Sequence, residues 1–212
     1  MRETEARQDP RQALMDAAER MLVEVGHAGI TTRRLAQEAG VNHGLVHYYF
    51  GSMENVLAET LDRFTERLIE RQRAMYAAPV PFIEKWRTAM NYMDLDHESG
   101  YQKIWLELHA LAWNNPDLRA RVAAVTGEWR AVVREALEDA AREYRRDPDD
   151  VPLAGLTSLV ETITLGMILE RHVGVTEGHR ELLDEIDRQL ESLEKGKGDA
   201  GTATRRRRVR RT

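Results

Sequence analysis

The chain has 212 residues, 42% of them hydrophobic, with a formal net charge of -5 and no cysteine. That length accommodates one sizeable body plus a small second module, and the missing cysteine excludes disulfides, thiolate metal sites and cysteine nucleophiles. The opening MRETEARQDP is charged and does not read as a secretory signal, and no run of about 18 apolar residues suggests a membrane span, so a cytoplasmic protein is expected.

Residues 1–9 read as an arm. A first helix is predicted over Pro10–Val25, because Leu14, Ala17, Ala18, Met21, Leu22 and Val25 recur at helical spacing. Pro10 suits its start and Gly26 its end. Thr31–Phe50, TTRRLAQEAGVNHGLVHYYF, reads as two short helices joined by a tight turn. Thr31 is the predicted cap of the first, Leu35, Ala36 and Ala39 its apolar stripe, and Gly40 the residue that ends it. Asn42 is the predicted cap of the second, over His43–Phe50. On a helical wheel Val46 and Phe50 share one side and face the protein. Gly44, Leu45 and Tyr48 point the other way, with His43 and His47 on one flank and Tyr49 on the other. A short helix with two core anchors and an outer face of small, aromatic and imidazole groups suits the major groove of DNA.

Gly51–Ser52 opens a fourth helix, with Ser52 as cap, Glu54 in its first turn, and Leu57, Leu61, Phe64 and Leu68 leading to about Met75. The AAPVP of residues 77–81 breaks the pattern. Helix 5 carries Phe82, Trp86, Met90 and Met93. Helix 6, over Tyr101–Asn114, is apolar most of the way round. Helix 7 starts at Pro116 and ends in the polar run Arg145–Asp150. Helix 8 covers Pro152–Val173 and helix 9 Thr176–Glu194. Nothing reads as a strand.

Residues 1–52 carry 6 Lys/Arg against 7 Asp/Glu, residues 53–194 carry 17 against 28, and residues 195–212 carry 8 against 1. The acidic excess therefore lies outside the first module. That module must bind DNA through a few placed donors and helix N-termini rather than bulk charge.

The stretch from Arg11 to Leu57 resembles the N-terminal domain of TetR-type (TetR/AcrR) regulators. The matching pieces are Gly26, Thr31, Leu35–Ala36, Ala39–Gly40–Val41, Asn42-x-Gly44, Tyr48–Tyr49–Phe50–Gly51–Ser52, Glu54 and Leu57. Two positions depart: His47 stands where the family usually has a phosphate-contacting tyrosine, and Met53 where it usually has a lysine. The resemblance implies an all-α protein of about nine helices. An N-terminal three-helix helix-turn-helix head would be joined through a long helix 4 to a helical ligand-binding and dimerisation body. The expected divisions are 1–52 for the arm and DNA-binding head, 53–194 for the body, and 195–212 for a basic disordered tail. A transcriptional repressor is expected, binding a palindromic operator as a homodimer through helices 8 and 9 and released by a small, mostly apolar ligand. The alternative is the same fold as an activator or a ligand-independent regulator.

Expected DNA contacts are Thr31, Arg33 and Arg34 at the start of helix 2, then His43, Gly44, Leu45, His47, Tyr48 and Tyr49 on the recognition helix, and Ser52 with Met53 at the next N-terminus. Gly44 allows close approach, and Leu45 suits a thymine methyl. His43 and His47 are four apart, but no third ligand lies nearby, so no metal is expected. The expected ligand-lining residues are Trp86, Met90, Trp105, His109, Trp113, Trp129 and Met167, against the plainer reading of core packing. Without cysteine, metal spacing or an acid–base pair on a recognisable scaffold, the chain does not read as an enzyme, and no cofactor is expected. The Arg-rich run Arg205–Arg211 reads either as an aid to non-specific DNA affinity or as a solubility tail.

Overall fold

The computed structural model describes residues 9–209, with side chains through residue 197. Most of the expected arm and the side chains of the Arg-rich run lie outside the described residues. The described chain forms nine α-helices and no strand. They are α1 (Pro10–Val25), α2 (Thr32–Glu38), α3 (Gly44–Phe50), α4 (Met53–Tyr76), α5 (Phe82–Glu98), α6 (Tyr101–Ala112), α7 (Pro116–Glu143), α8 (Leu153–His172) and α9 (His179–Val209). Short 3-10 turns at His27–Gly29 and Pro148–Asp150 complete the chain.

Local chemistry sets the boundaries. Asp9 caps α1 by accepting the Arg11 N–H at 3.1 Å, Pro10 occupies the first turn, and Gly26 closes the helix at φ 70°. Thr31 caps α2 as expected: its hydroxyl accepts the Arg34 N–H at 3.2 Å. Ser52 does the same for α4 through the Asn55 N–H, also at 3.2 Å. The backbone of α9 continues through Val209, past the end expected at Glu194 and into the stretch expected as a disordered tail. Extending a helix that is already nucleated costs little per residue.

By packing, the chain falls into two compact units: Met1–Leu68 with Leu95–Gly127, and Ile69–Asp94 with Glu128–Thr212. The first holds one continuous apolar core. Leu14, Leu22, Leu35, Leu61, Ile104 and Leu108 are all 0% exposed within it, so α6 and the start of α7 share a core with α1 to α3. Ion pairs brace α1 against α4: Arg63 reaches Asp16 at 2.6 Å and Glu19 at 2.7 Å, and Arg67 reaches Glu19 at 2.8 Å.

The second unit centres on Phe82, Ala136 and Ala140, with Tyr76, Leu137, Tyr144 and Leu190 packed around them. Lys197 ties the α9 backbone here by pairing with Glu143 at 2.7 Å. Arg87 holds Asp187 at 2.6 Å. Leu153–His172 differs from the expectation that no membrane-length apolar run exists. It is long and apolar enough, by length and composition, to cross a membrane, although only 11% of its apolar window is buried. Its one acidic residue before the last turn is Glu161, and small Ser, Thr and Gly residues elsewhere do not break the run.

Candidate nucleic-acid interface

The helical hairpin α2–α3 is built by its turn. Ala36 O accepts the Val41 N–H at 2.9 Å, and Gly40 stands at φ 67°, a conformation that costs glycine little and other residues more. Asn42 Oδ1 then accepts the Gly44 N–H at 2.9 Å and starts α3. Val46 and Phe50 anchor that helix in the core at 1% and 4% exposure, and the Arg11 guanidinium lies 5.4 Å from the Phe50 ring centroid. At the far end, Asn55 Nδ2 donates to the Phe50 carbonyl at 2.7 Å. Asn55 therefore fixes the end of α3 from α4. The sequence signal for it was only its place three residues after the Ser52 cap.

The outer face is as the wheel draws it at most positions. Tyr48 is 78% exposed, and its ring meets Tyr49 edge-on at 5.0 Å between centroids. His43, Gly44 and His47 are exposed, as are Thr31, Arg33 and Arg34. Ser52 and Met53 are half-buried. Gly44 is not demanded by the fold: a Cβ there would meet only Asn42 Oδ1 at 3.4 Å, an ordinary contact. Leu45 differs from its expected outward position. It is half-buried and packs against the core, as does Tyr49. In a helix of seven residues, the neighbour of an anchor such as Val46 lies at the margin of the buried side.

Two of the candidate donors already have protein partners. Arg34 Nη1 donates to the Gly29 carbonyl at 2.6 Å, which leaves Arg33 as the exposed arginine of α2 without such a tie. His47 Nδ1 lies 3.1 Å from the Gly51 carbonyl. Glu54 sits in the first turn of α4, where its own N–H and the Ser52 hydroxyl hold its carboxyl below the usual range.

The residues expected to line a ligand site do not come together as a set. A cavity of about 160 Å³ in the second unit is lined by Trp86, Met90, Met93, Leu159, Val160, Ile163, Thr164, Met167, Leu183 and Ile186. Trp86, Met90 and Met167 are thus where they were expected. Trp129 is half-buried but does not line this cavity. Trp105 packs on the core of the first unit, with the His109 ring 4.0 Å away between centroids. His109 Nδ1 meets the Trp105 carbonyl at 2.8 Å, and burial pushes its pKa down. Trp113, at the end of α6, is 78% exposed. Trp105, His109 and Trp113 stand four residues apart, but α6 ends at Ala112, so the last of them leaves the packed surface. Glu107, also on α6, accepts the His27 N–H at 2.6 Å. Lys103 donates to the Val23 carbonyl at 2.8 Å.

A capped α2, a tight turn, and a short α3 anchored on one side and open on the other define a helix-turn-helix DNA-binding protein. Residues 14–60 match the family described as bacterial regulatory proteins, tetR family. Over 189 residues the chain is 26% identical to the transcriptional repressor AcnR of Corynebacterium efficiens, covering 84% of this chain and 90% of AcnR. Over 72 residues it is 39% identical to the regulator BetI of Rhizobium meliloti, a stretch spanning 34% of this chain and 36% of BetI. The solved transcriptional regulator SCO7518 of Streptomyces coelicolor A3(2) superposes with a TM-score of 0.62 at 27% identity, covering 84% of this chain and 96% of that one. The match over residues 14–60, together with relatives and solved structures that span most of the chain, supports a TetR-family transcriptional regulator, DNA-binding rather than enzymatic.

Proposed function

We propose that the protein is a cytoplasmic repressor that binds a palindromic operator as a dimer and leaves it when a small apolar molecule enters the helical body. The observation that carries the DNA half of this reading is the two-sidedness of α3: Tyr48 is 78% exposed while Val46 and Phe50 are buried. Tyr48 and Gly44 would meet base edges and the sugar-phosphate edge of the groove, while Arg33, His43, His47 and the Ser52–Met53 N-terminus would meet phosphates. Residues 1–52 would act as the DNA-binding part and 53–194 as the effector and dimerisation part.

The dimer half rests on the outer surface of α8 and α9. Leu159, Leu165, Leu169, Leu182 and Leu193 are each between 37% and 54% exposed, and Val173 is 76% exposed. Exposed large apolar residues recurring along two helices call for a partner, and a palindrome calls for a twofold one. The effector half rests on the cavity beside Trp86 and Met167. Its lining carries no ionisable side chain, and Thr164 is its sole hydroxyl. A neutral, compact molecule suits such walls, and the methionines can adjust to its outline.

The test is fluorescence anisotropy with the protein's own upstream DNA. A specific duplex should bind at least a thousandfold tighter than random DNA, in the range of about 10³–10⁷ typical of specific regulators. A compound that raises the melting temperature should also release the duplex. Effector and operator should weaken each other by the same factor, worth about 1–3 kcal/mol. Equal affinity for the upstream and random duplexes would refute sequence-specific regulation.

A further inference from the structure

We propose that His47 is a phosphate ligand that works only as the imidazolium, so that DNA binding by this protein takes up protons and strengthens as pH falls. The proposal rests on the reading that the outer face of α3 meets the duplex. It adds that one contact on that face is conditional.

The geometry removes a choice that an exposed histidine normally has. Nδ1 of His47 lies 3.1 Å from the Gly51 carbonyl oxygen. A carbonyl oxygen only accepts, so Nδ1 carries the hydrogen and donates it. In the neutral ring, Nε2 is then a lone pair. A lone pair facing a phosphate oxygen repels it. Protonation converts Nε2 into a charged donor while the bond to Gly51 stays in place. The carbonyl is not free to swing away: Gly51 closes α3 at φ 74° and donates its own N–H to the His47 carbonyl at 3.0 Å. Asn55 holds the preceding carbonyl, that of Phe50, at 2.7 Å.

The charged groups on the neighbouring helices are mostly engaged with partners of their own. On α1, Arg11 pairs with Glu59 of α4. On α2, Arg34 donates to Gly29 and Glu38 pairs with Arg20, leaving Arg33 exposed. At the start of α4, Glu54 is engaged by Ser52 and its own N–H. Immediately before α3 stands a second imidazole, His43, one turn earlier and also exposed. His47 makes no ion pair with any of these carboxylates. The anion proposed to meet its protonated Nε2 is a phosphate of the duplex.

Phosphates are common to every sequence, so the effect should appear on random as well as specific duplexes. Anisotropy titrations at constant ionic strength, from pH 5.8 to pH 8.0, should show the full-length protein losing about tenfold in affinity per half-site as the charged donor is lost. His47→Tyr should remove this component, because a phenol keeps its donor throughout that range. His47→Gln should remove it too. A flat wild-type profile overturns the proposal, and so does the same slope in wild type and both His47 variants. Failure to bind any duplex at any pH would sink the DNA-binding reading itself. The two failures are separable, because long-range ¹H–¹⁵N correlation spectra of the free protein report the tautomer without DNA. A neutral His47 protonated at Nδ1 supports the lock, and one protonated at Nε2 overturns it.

Discussion

The two units of this chain treat their apolar residues differently. Met1–Leu68 with Leu95–Gly127 holds a core of completely buried large aliphatics: Leu14, Leu22, Leu35, Leu61, Ile104 and Leu108 have no exposed surface. Ile69–Asp94 with Glu128–Thr212 has a smaller core cluster around Phe82, Ala136 and Ala140, an apolar cavity, and leucines along α8 and α9 left half in solvent. Each half-exposed leucine forgoes roughly 1 kcal/mol of burial. The first unit satisfies its own pattern within one chain. The second carries more apolar surface than its own helices cover, and that surplus is what a second subunit and an effector can use.

The strongest way to break this contrast is to hollow out the first unit. Leu61→Ala or Leu108→Ala should cost about 2–5 kcal/mol of stability, because each removes a fully buried side chain from a packed site. Urea titration should give the same loss at every protein concentration. A cost below about 1 kcal/mol would mean that the site collapses around the gap and that this core is looser than it looks.

Leu169→Glu probes the other side of the contrast. Leu169 is 48% exposed on α8, so its substitution should leave the subunit folded but weaken association about a hundredfold, or about 2.7 kcal/mol. Sedimentation velocity over a dilution series reads this directly. Its loss of stability relative to wild type should then depend on protein concentration, unlike that of Leu61→Ala. A variant that dimerises as well as wild type would take α8 out of the proposed interface.

Within the first unit, the exposed part of α3 should matter for binding and not for folding. Tyr48→Ala should cost about 1–3 kcal/mol on a specific duplex and little on a random one, with the unfolding midpoint unchanged. Equal losses on both duplexes would show that Tyr48 touches backbone only. The smallest effect is expected at Thr31, whose hydroxyl caps α2. Thr31→Ala should lose about 1 kcal/mol of stability, and Thr31→Ser should recover most of it. If serine fails to rescue, the methyl group rather than the hydroxyl holds that position.

The helix starts at Pro10, Thr31 and Ser52, the turn at Gly40 and the anchors Val46 and Phe50 were all legible in the sequence. A cap is satisfied by an N–H two or three residues away, and helical spacing fixes which side chains share a side. Both are facts about neighbours in the chain. The fates of Leu45, Glu107 and the tryptophans were not legible, because a wheel does not say what stands opposite. Leu45 meets the core at the margin of α3. Glu107 finds a backbone N–H eighty residues earlier, at His27. Trp86 lines a cavity, Trp105 packs against the first unit's core, and Trp113 faces solvent. Their chemistry is the same in all three places. The elements packed around each ring, and the end of α6 at Ala112, decide what that ring does, and only tertiary structure supplies those.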